Sequence, residues 1–185
     1  MKKQTPVFFY GGAFDPLTRA HISILKNLLE KPGRVICGIT EASPHKQHQP
    51  IAPLLHRMEC IRMEFPEEWS SQKLEIVPQS KRTWEFLSDH PDWKVTHIVM
   101  GEDEKQSLER GEWHFSGKIL ENYQIETIPR PEGAISSSRV RETMRELSFY
   151  ISPKTLPMLL KIPGYWKEEK EECQRDQKLP PSTFL

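Results

Sequence analysis

Short apolar runs alternating with stretches of helical period constrain this chain more than any other feature of its sequence. Residues 7–10, 34–39 and 94–100 read as buried strands, and residues 74–77 and 123–128 as weaker ones. Between the first two, residues 18–30 place His21, Ile24, Leu25 and Leu28 at i, i+3, i+4 and i+7, so one helix face points toward a core. Residues 54–65, 83–90, 113–121 and 137–147 follow with less regular helical patterns. Parallel neighbouring strands need crossover connections, and helices supply them. The alternation therefore predicts an α/β fold, a mostly parallel sheet with helices on both faces and a short helical part at the C-terminal end. Ligands of such sheets sit beyond the carboxyl ends of the strands.

A chain of 185 residues, 36% hydrophobic and 28% charged, suffices for one such domain. We expect it to occupy residues 1–165. Residues 166–185 mix both charges and run into Leu179-Pro180-Pro181-Ser182, which reads as a mobile tail. Residues 41–53 carry Pro44, Pro50, Pro53, His45 and His48 without any period, so they form a long loop after the second strand. Lys and Arg number 26 against 26 Asp and Glu, a balance that argues against a general nucleic-acid binder. The longest apolar stretches fall far short of the roughly 20 residues of a membrane helix. Gly11, Gly12 and Asp15 interrupt the run after Lys2 and Lys3 before an export signal could form. Cys37, Cys60 and Cys173 lack CxxC spacing and fit reduced thiols, so the expected location is cytoplasmic. His45, His48 and His56 have no acidic or thiol partner at a ligand position, and we expect no protein metal site.

The first strand runs into Gly11-Gly12-Ala13-Phe14-Asp15-Pro16-Leu17-Thr18 and then into the first helix. Adjacent glycines let the backbone turn tightly and approach a ligand, and a helix start offers free N–H groups and a positive dipole end to an anion. Thr18 and His21, three apart, lie on one side of the first turn, where both could touch one phosphate. They read equally as an ordinary N-cap and a core histidine. Much later, Ile135-Ser136-Ser137-Ser138-Arg139-Val140-Arg141 opens another helix with hydroxyl donors and arginines, a second anion site or a serine cap on a solvated helix.

These residues resemble the nucleotidylyltransferase superfamily, whose members start with G-x-F-x-P-x-[HT]-x-x-H and end with I-S-S-[ST]-x-x-R. Pro44-His45-Lys46 with Arg57 downstream, Gly101-Glu102-Asp103 at a strand end, and Trp113 narrow the likeness to the nicotinate or nicotinamide mononucleotide adenylyltransferases. It covers about residues 7–165. The resemblance implies a Rossmann-like sheet and an enzyme that joins ATP to a pyridine mononucleotide, releasing pyrophosphate, with magnesium on the triphosphate. It implies catalytic roles for Thr18, His21, Lys46 and Arg141. ATP would lie against Gly11, Gly12, Ala13, Phe14, Asp103, Ile135, Ser136, Ser137 and Ser138, and the mononucleotide against Asp15, Thr83 and Trp113. Lys81 and Arg82 beside Thr83 are candidates to hold a nicotinate carboxylate. Ala20 stands where a glycine is common, and the short run 125–134 is closer to the cytidylyltransferases. Two alternatives therefore stand beside this reading: a transferase using CTP or another phosphate acceptor, and a catalytically quiet nucleotide sensor. Oligomeric state stays open.

Overall fold

β1 (Val7–Gly12) is the central strand of a five-stranded sheet, flanked by β2 (Arg34–Thr40) and β4 (His97–Met100), with β3 (Leu74–Gln79) and β5 (Gln124–Thr127) at the edges. The computed structural model describes residues 5–41, 52–129, 137–141 and 147–166. The strand order is β3-β2-β1-β4-β5, and every pairing is parallel. The chain winds outward from β1 to β3 and then crosses back to lay β4 on the free side of β1. That reversal leaves a crevice at the carboxyl ends of β1 and β4.

Strand periodicity sorts the core into two layers. Phe8, Tyr10, Cys37 and Ile39 point to one face, where α1 (Arg19–Glu30) packs Ile24, Leu25 and Leu28, and α2 (Leu54–Glu64) packs Met58 and Ile61. Phe9, Ile36, Ile98 and Met100 point to the other, against Phe86 and Leu87 of α4 (Thr83–Ser88), Leu108 of α5 (Glu102–Glu109) and Ile119 of α6 (Ser116–Asn122). Each fully buried aliphatic or aromatic side chain contributes about 1.5–3 kcal/mol. Cys37 and Cys60 are buried, and burial pushes the Cys60 thiol up to about 12. Among the described residues no helix is long and apolar enough to cross a membrane.

The expected sheet is present, and the departures have local causes. β4 starts at His97 rather than at residue 94, because Lys94 takes a left-handed φ of 54° that closes the 3-10 turn Pro91–Trp93. Two helices ahead of the C-terminal part escaped the periodicity argument. α3 (Pro66–Ser70) begins on a proline with Glu67 and Glu68 in its first turn, and α5 begins on Glu102, Asp103 and Glu104. Both are specified by N-terminal acids that complement the helix dipole, not by an apolar stripe. Residues 137–147, expected as one helix, comprise α7 (Ser137–Val140) and the first residue of α8 (Leu147–Tyr150), with 142–146 outside the described residues. α9 (Leu156–Leu159) follows. Trp166, assigned to the tail, instead packs on the first core layer and donates from Nε1 to the Leu159 carbonyl at 3.1 Å. The rest of the expected tail, residues 167–185, and most of the 41–53 loop lie outside the described residues.

Candidate active site

At the carboxyl end of β1, Gly11 pairs with Gly38 of β2. A side chain at Gly38 would begin 2.6 Å from the Phe9 ring, so this pair of glycines makes room for Phe9 and for the amide of Gln79, whose Oε1 lies over both. The chain then turns through Phe14, a buried residue with a left-handed φ of 48°. Its ring packs edge-on against Tyr10 at 5.3 Å and His21 at 5.1 Å. Holding a non-glycine residue there costs free energy that the surrounding packing must supply.

Thr18 is the N-cap of α1, and its partner is His21. The Thr18 hydroxyl accepts the His21 N–H at 3.5 Å, while the Thr18 N–H donates to His21 Nδ1 at 3.1 Å. The two residues expected together are together, through a reciprocal capping box.

Below the glycine turn lies a buried polar cluster. Arg57, from α2, donates to the carbonyls of Ala13 at 2.8 Å, Thr40 at 2.7 Å, Glu41 at 3.0 Å and Ala52 at 2.9 Å. One guanidinium thus ties the ends of β1 and β2 to the start of α2. Desolvation lowers its affinity for the proton, and the nearby Asp15 carboxylate opposes that. Asp15 accepts from Tyr165 Oη at 2.5 Å and from the Ala52 N–H at 3.2 Å, and pairs with Arg141 at 3.3 Å. Arg141 also donates to the Asp15 carbonyl, and its guanidinium sits 5.9 Å from the centre of the Tyr165 ring. Burial, and then the Asp15 charge, push the Tyr165 hydroxyl well above the usual phenol range, so it remains a donor. Ser137, first in α7, donates to the Pro16 carbonyl at 3.2 Å and fastens that helix to the same turn. Tyr165→Phe leaves the Asp15 carboxylate one donor short. We expect a loss of about 1–3 kcal/mol in urea unfolding, and an unchanged midpoint would show that the hydroxyl is replaceable.

Two contiguous cavities open at the carboxyl ends of the strands. The smaller, of 180 Å³, is lined by Gly11 and Gly12 of β1, Ile98, Val99 and Met100 of β4, and Glu104. It occupies the crevice where the chain reverses. The larger, of 290 Å³, is lined by Lys81, Arg82, His114 and Ile119, and Thr40, Gln79, Thr83 and Trp113 line both. Lys81 turns its ammonium to Asp89 at 2.6 Å. Gln79 is buried and donates to the Lys81 carbonyl at 3.1 Å and to Thr83 Oγ1 at 3.5 Å, which orients Thr83 at the cavity wall.

The structure thus brings together Gly11, Gly12, Thr83 and Trp113 around one cleft, and Thr18 with His21 at the start of α1. Asp15, expected on the mononucleotide, and Arg141, expected on the triphosphate, are buried and engage each other. Neither lines the two cavities, because a buried carboxylate takes the nearest guanidinium. Ala13 presents its carbonyl to Arg57, Phe14 is a packing residue, and Asp103 is exposed on α5. Ser138 lies in α7. Lys46, Ile135 and Ser136 lie outside the described residues. Sequence reasoning missed Gln79, Glu104 and Tyr165, and valued Arg57 only for its likeness. Its signal was available: Arg57 falls on the face of Leu54, Met58 and Ile61, where a charge must be buried.

The sequence model described as cytidylyltransferase-like matches residues 9–150. The chain is 28% identical over 163 residues to a protein of Symbiobacterium thermophilum named a probable nicotinate-nucleotide adenylyltransferase, covering 83% of this chain and 75% of that one. It is 32% identical over 104 residues to the phosphopantetheine adenylyltransferase of Methanopyrus kandleri, covering 55% of this chain and 65% of that one. The solved structure of Plasmodium falciparum nicotinic acid mononucleotide adenylyltransferase in complex with APC superposes with a TM-score of 0.62 at 18% identity, covering 85% of this chain and 96% of that chain. At that identity the likeness is one of fold.

Proposed function

The chain belongs to the cytidylyltransferase-like family, and from that premise we propose that it is an adenylyltransferase of NAD biosynthesis, joining ATP to nicotinate mononucleotide and releasing pyrophosphate. The cleft carries this reading. It joins the glycine turn of β1 to Trp113, so a turn suited to phosphate and a large aromatic side chain line one continuous space.

In the proposed reaction a 5′-phosphate oxygen of the mononucleotide attacks the α-phosphorus of ATP in line, and the bond to the bridging oxygen breaks as pyrophosphate leaves. A phosphate is anionic at neutral pH and needs no base to activate it. The protein's contribution is to hold the two phosphates in line and to donate to the oxygens on which charge builds. His21 serves as one such donor at the positive end of α1. On the family likeness, Lys46 supplies a cation and Ile135, Ser136, Ser137 and Ser138 meet the triphosphate. Asp15 and Arg141 act beneath the turn, holding the glycine segment and α7 in register. Among the described residues no three acidic, histidine or cysteine side chains group around a common metal position. On the family likeness, magnesium would arrive with the triphosphate, mostly hydrated, and neutralise phosphate charge. Balanced charge and thiol usage favour a cytoplasmic enzyme without a nucleic-acid partner.

The Methanopyrus relative favours a second reading, the same transfer to the phosphate of another acceptor such as phosphopantetheine. Pyrophosphate release from ATP, and separately CTP, against nicotinate mononucleotide, nicotinamide mononucleotide and phosphopantetheine tests both. Release only with a non-pyridine acceptor would replace the first reading by the second. Trp113→Ala should weaken the pyridine acceptor about twofold to thirtyfold in apparent affinity, the worth of an aromatic face to a pyridinium ring. An unchanged KM would remove Trp113 from the acceptor site.

A further inference from the structure

We propose that Thr18 sets the tautomer of His21, so that the ring serves as a neutral Nε2–H donor and takes no proton in the reaction. The consequence rests on the transfer reading above, whereas the tautomer rests on geometry alone. His21 Nδ1 lies 3.1 Å from the Thr18 backbone nitrogen and in line to accept its hydrogen. A backbone N–H can only donate, so Nδ1 must present a lone pair. Thr18 Oγ1 lies 3.0 Å from the same Nδ1 and accepts the His21 backbone N–H, which leaves the hydroxyl proton to point at Nδ1 as well. A neutral imidazole with its lone pair on Nδ1 carries its proton on Nε2. Protonating Nδ1 would set one N–H against another and lose both contacts.

The usual partner in such a box is Glu or Gln, three residues after the cap. A glutamate would satisfy the Thr18 N–H equally well, but it would bring a negative charge and no donor to the end of α1. An imidazole satisfies the same N–H and keeps a second nitrogen that carries a hydrogen. Phe14, buried and edge-on to the ring, limits its swing on the other side. Thr18 is therefore a positioning residue that acts through His21. A histidine locked in this form can stabilise a phosphoryl oxygen by hydrogen bonding, and a reaction whose nucleophile is already an anion asks for nothing more.

The test is spectroscopic. Protein labelled with 15N-histidine gives long-range proton–nitrogen correlations at neutral pH that distinguish the two tautomers and the cation, and the His21 signal among seven histidines is identified by its loss in His21→Gln. We expect the Nε2–H pattern in the wild type and in Thr18→Ser, with the turnover of Thr18→Ser within about twofold of wild type. Thr18→Val keeps the backbone N–H and so the Nε2–H pattern, but without the hydroxyl the ring is less firmly placed and turnover should fall about tenfold, with the KM for ATP moving less than about twofold, because misplacing a donor costs rate more than binding. An Nδ1–H pattern or a cationic ring in the wild type overturns the proposal, as does a Thr18→Val protein with an unchanged rate. If Thr18→Val fails to fold, the wild-type and Thr18→Ser spectra decide. Should no acceptor yield pyrophosphate while the Nε2–H pattern is present, the transfer reading fails and the tautomer stands.

Discussion

His21→Ala lowers the turnover of pyrophosphate release by about a hundredfold or more, with the fold intact. Removing one positioned donor to a developing oxyanion costs about 2.7–4 kcal/mol of transition-state stabilisation. The stability loss is smaller, because His21 is only half-buried and its structural contribution is one half of the capping box, worth about 1 kcal/mol. The two quantities separate the two roles that a histidine on an inward helix face can have. Single-turnover rates and urea unfolding on the same variant provide both. Near wild-type turnover at saturating substrate would remove His21 from the reaction, and a variant that unfolds with its rate per folded molecule unchanged would make it a core histidine.

Arg57→Met is expected to cost the most stability, about 3–5 kcal/mol in equilibrium unfolding. The methionine fills much of the apolar volume of the arginine stem, so the loss reports the guanidinium and not the packing. Four carbonyls lose their donor at once, and each unsatisfied buried acceptor costs about 1–3 kcal/mol where water cannot reach it. The Asp15 carboxylate loses a nearby cation in the same step. Arg57→Lys should recover only part of the loss, since one ammonium cannot span carbonyls contributed by three segments of chain. A variant of either kind with wild-type stability would mean that the ends of β1 and β2 hold their shape unaided.

What could be read from the sequence, and what could not, follows from the range of the interactions. The strands of the sheet are runs of adjacent apolar residues, and the face of α1 repeats within two turns, so both are written locally. The glycine turn and the pair of Thr18 and His21 are local in the same sense, and they are found together as expected. Thr83 and Trp113 are far apart in the chain, and they reach one cleft because the parallel order of β3, β1 and β4 brings their loops to one edge. The contacts of Asp15 and Arg141 are illegible in the sequence for the opposite reason. Their partners lie 126 and 150 positions apart, and no spacing rule relates a carboxylate near the start of a chain to a tyrosine near its end. α5 was unreadable because its specification is electrostatic, three acids at its first turn with only Leu108 buried.

The bond from Tyr165 to Asp15 has a meaning for synthesis as well as for stability. The glycine turn is synthesised first, and the carboxylate that braces it gains its phenolic donor only after another 150 residues have been made. Until then the turn has its glycines and the start of α1 but lacks that brace. The strands and the start of α1 are made well before Tyr165, so the brace of the phosphate turn is among the later contacts that synthesis makes possible.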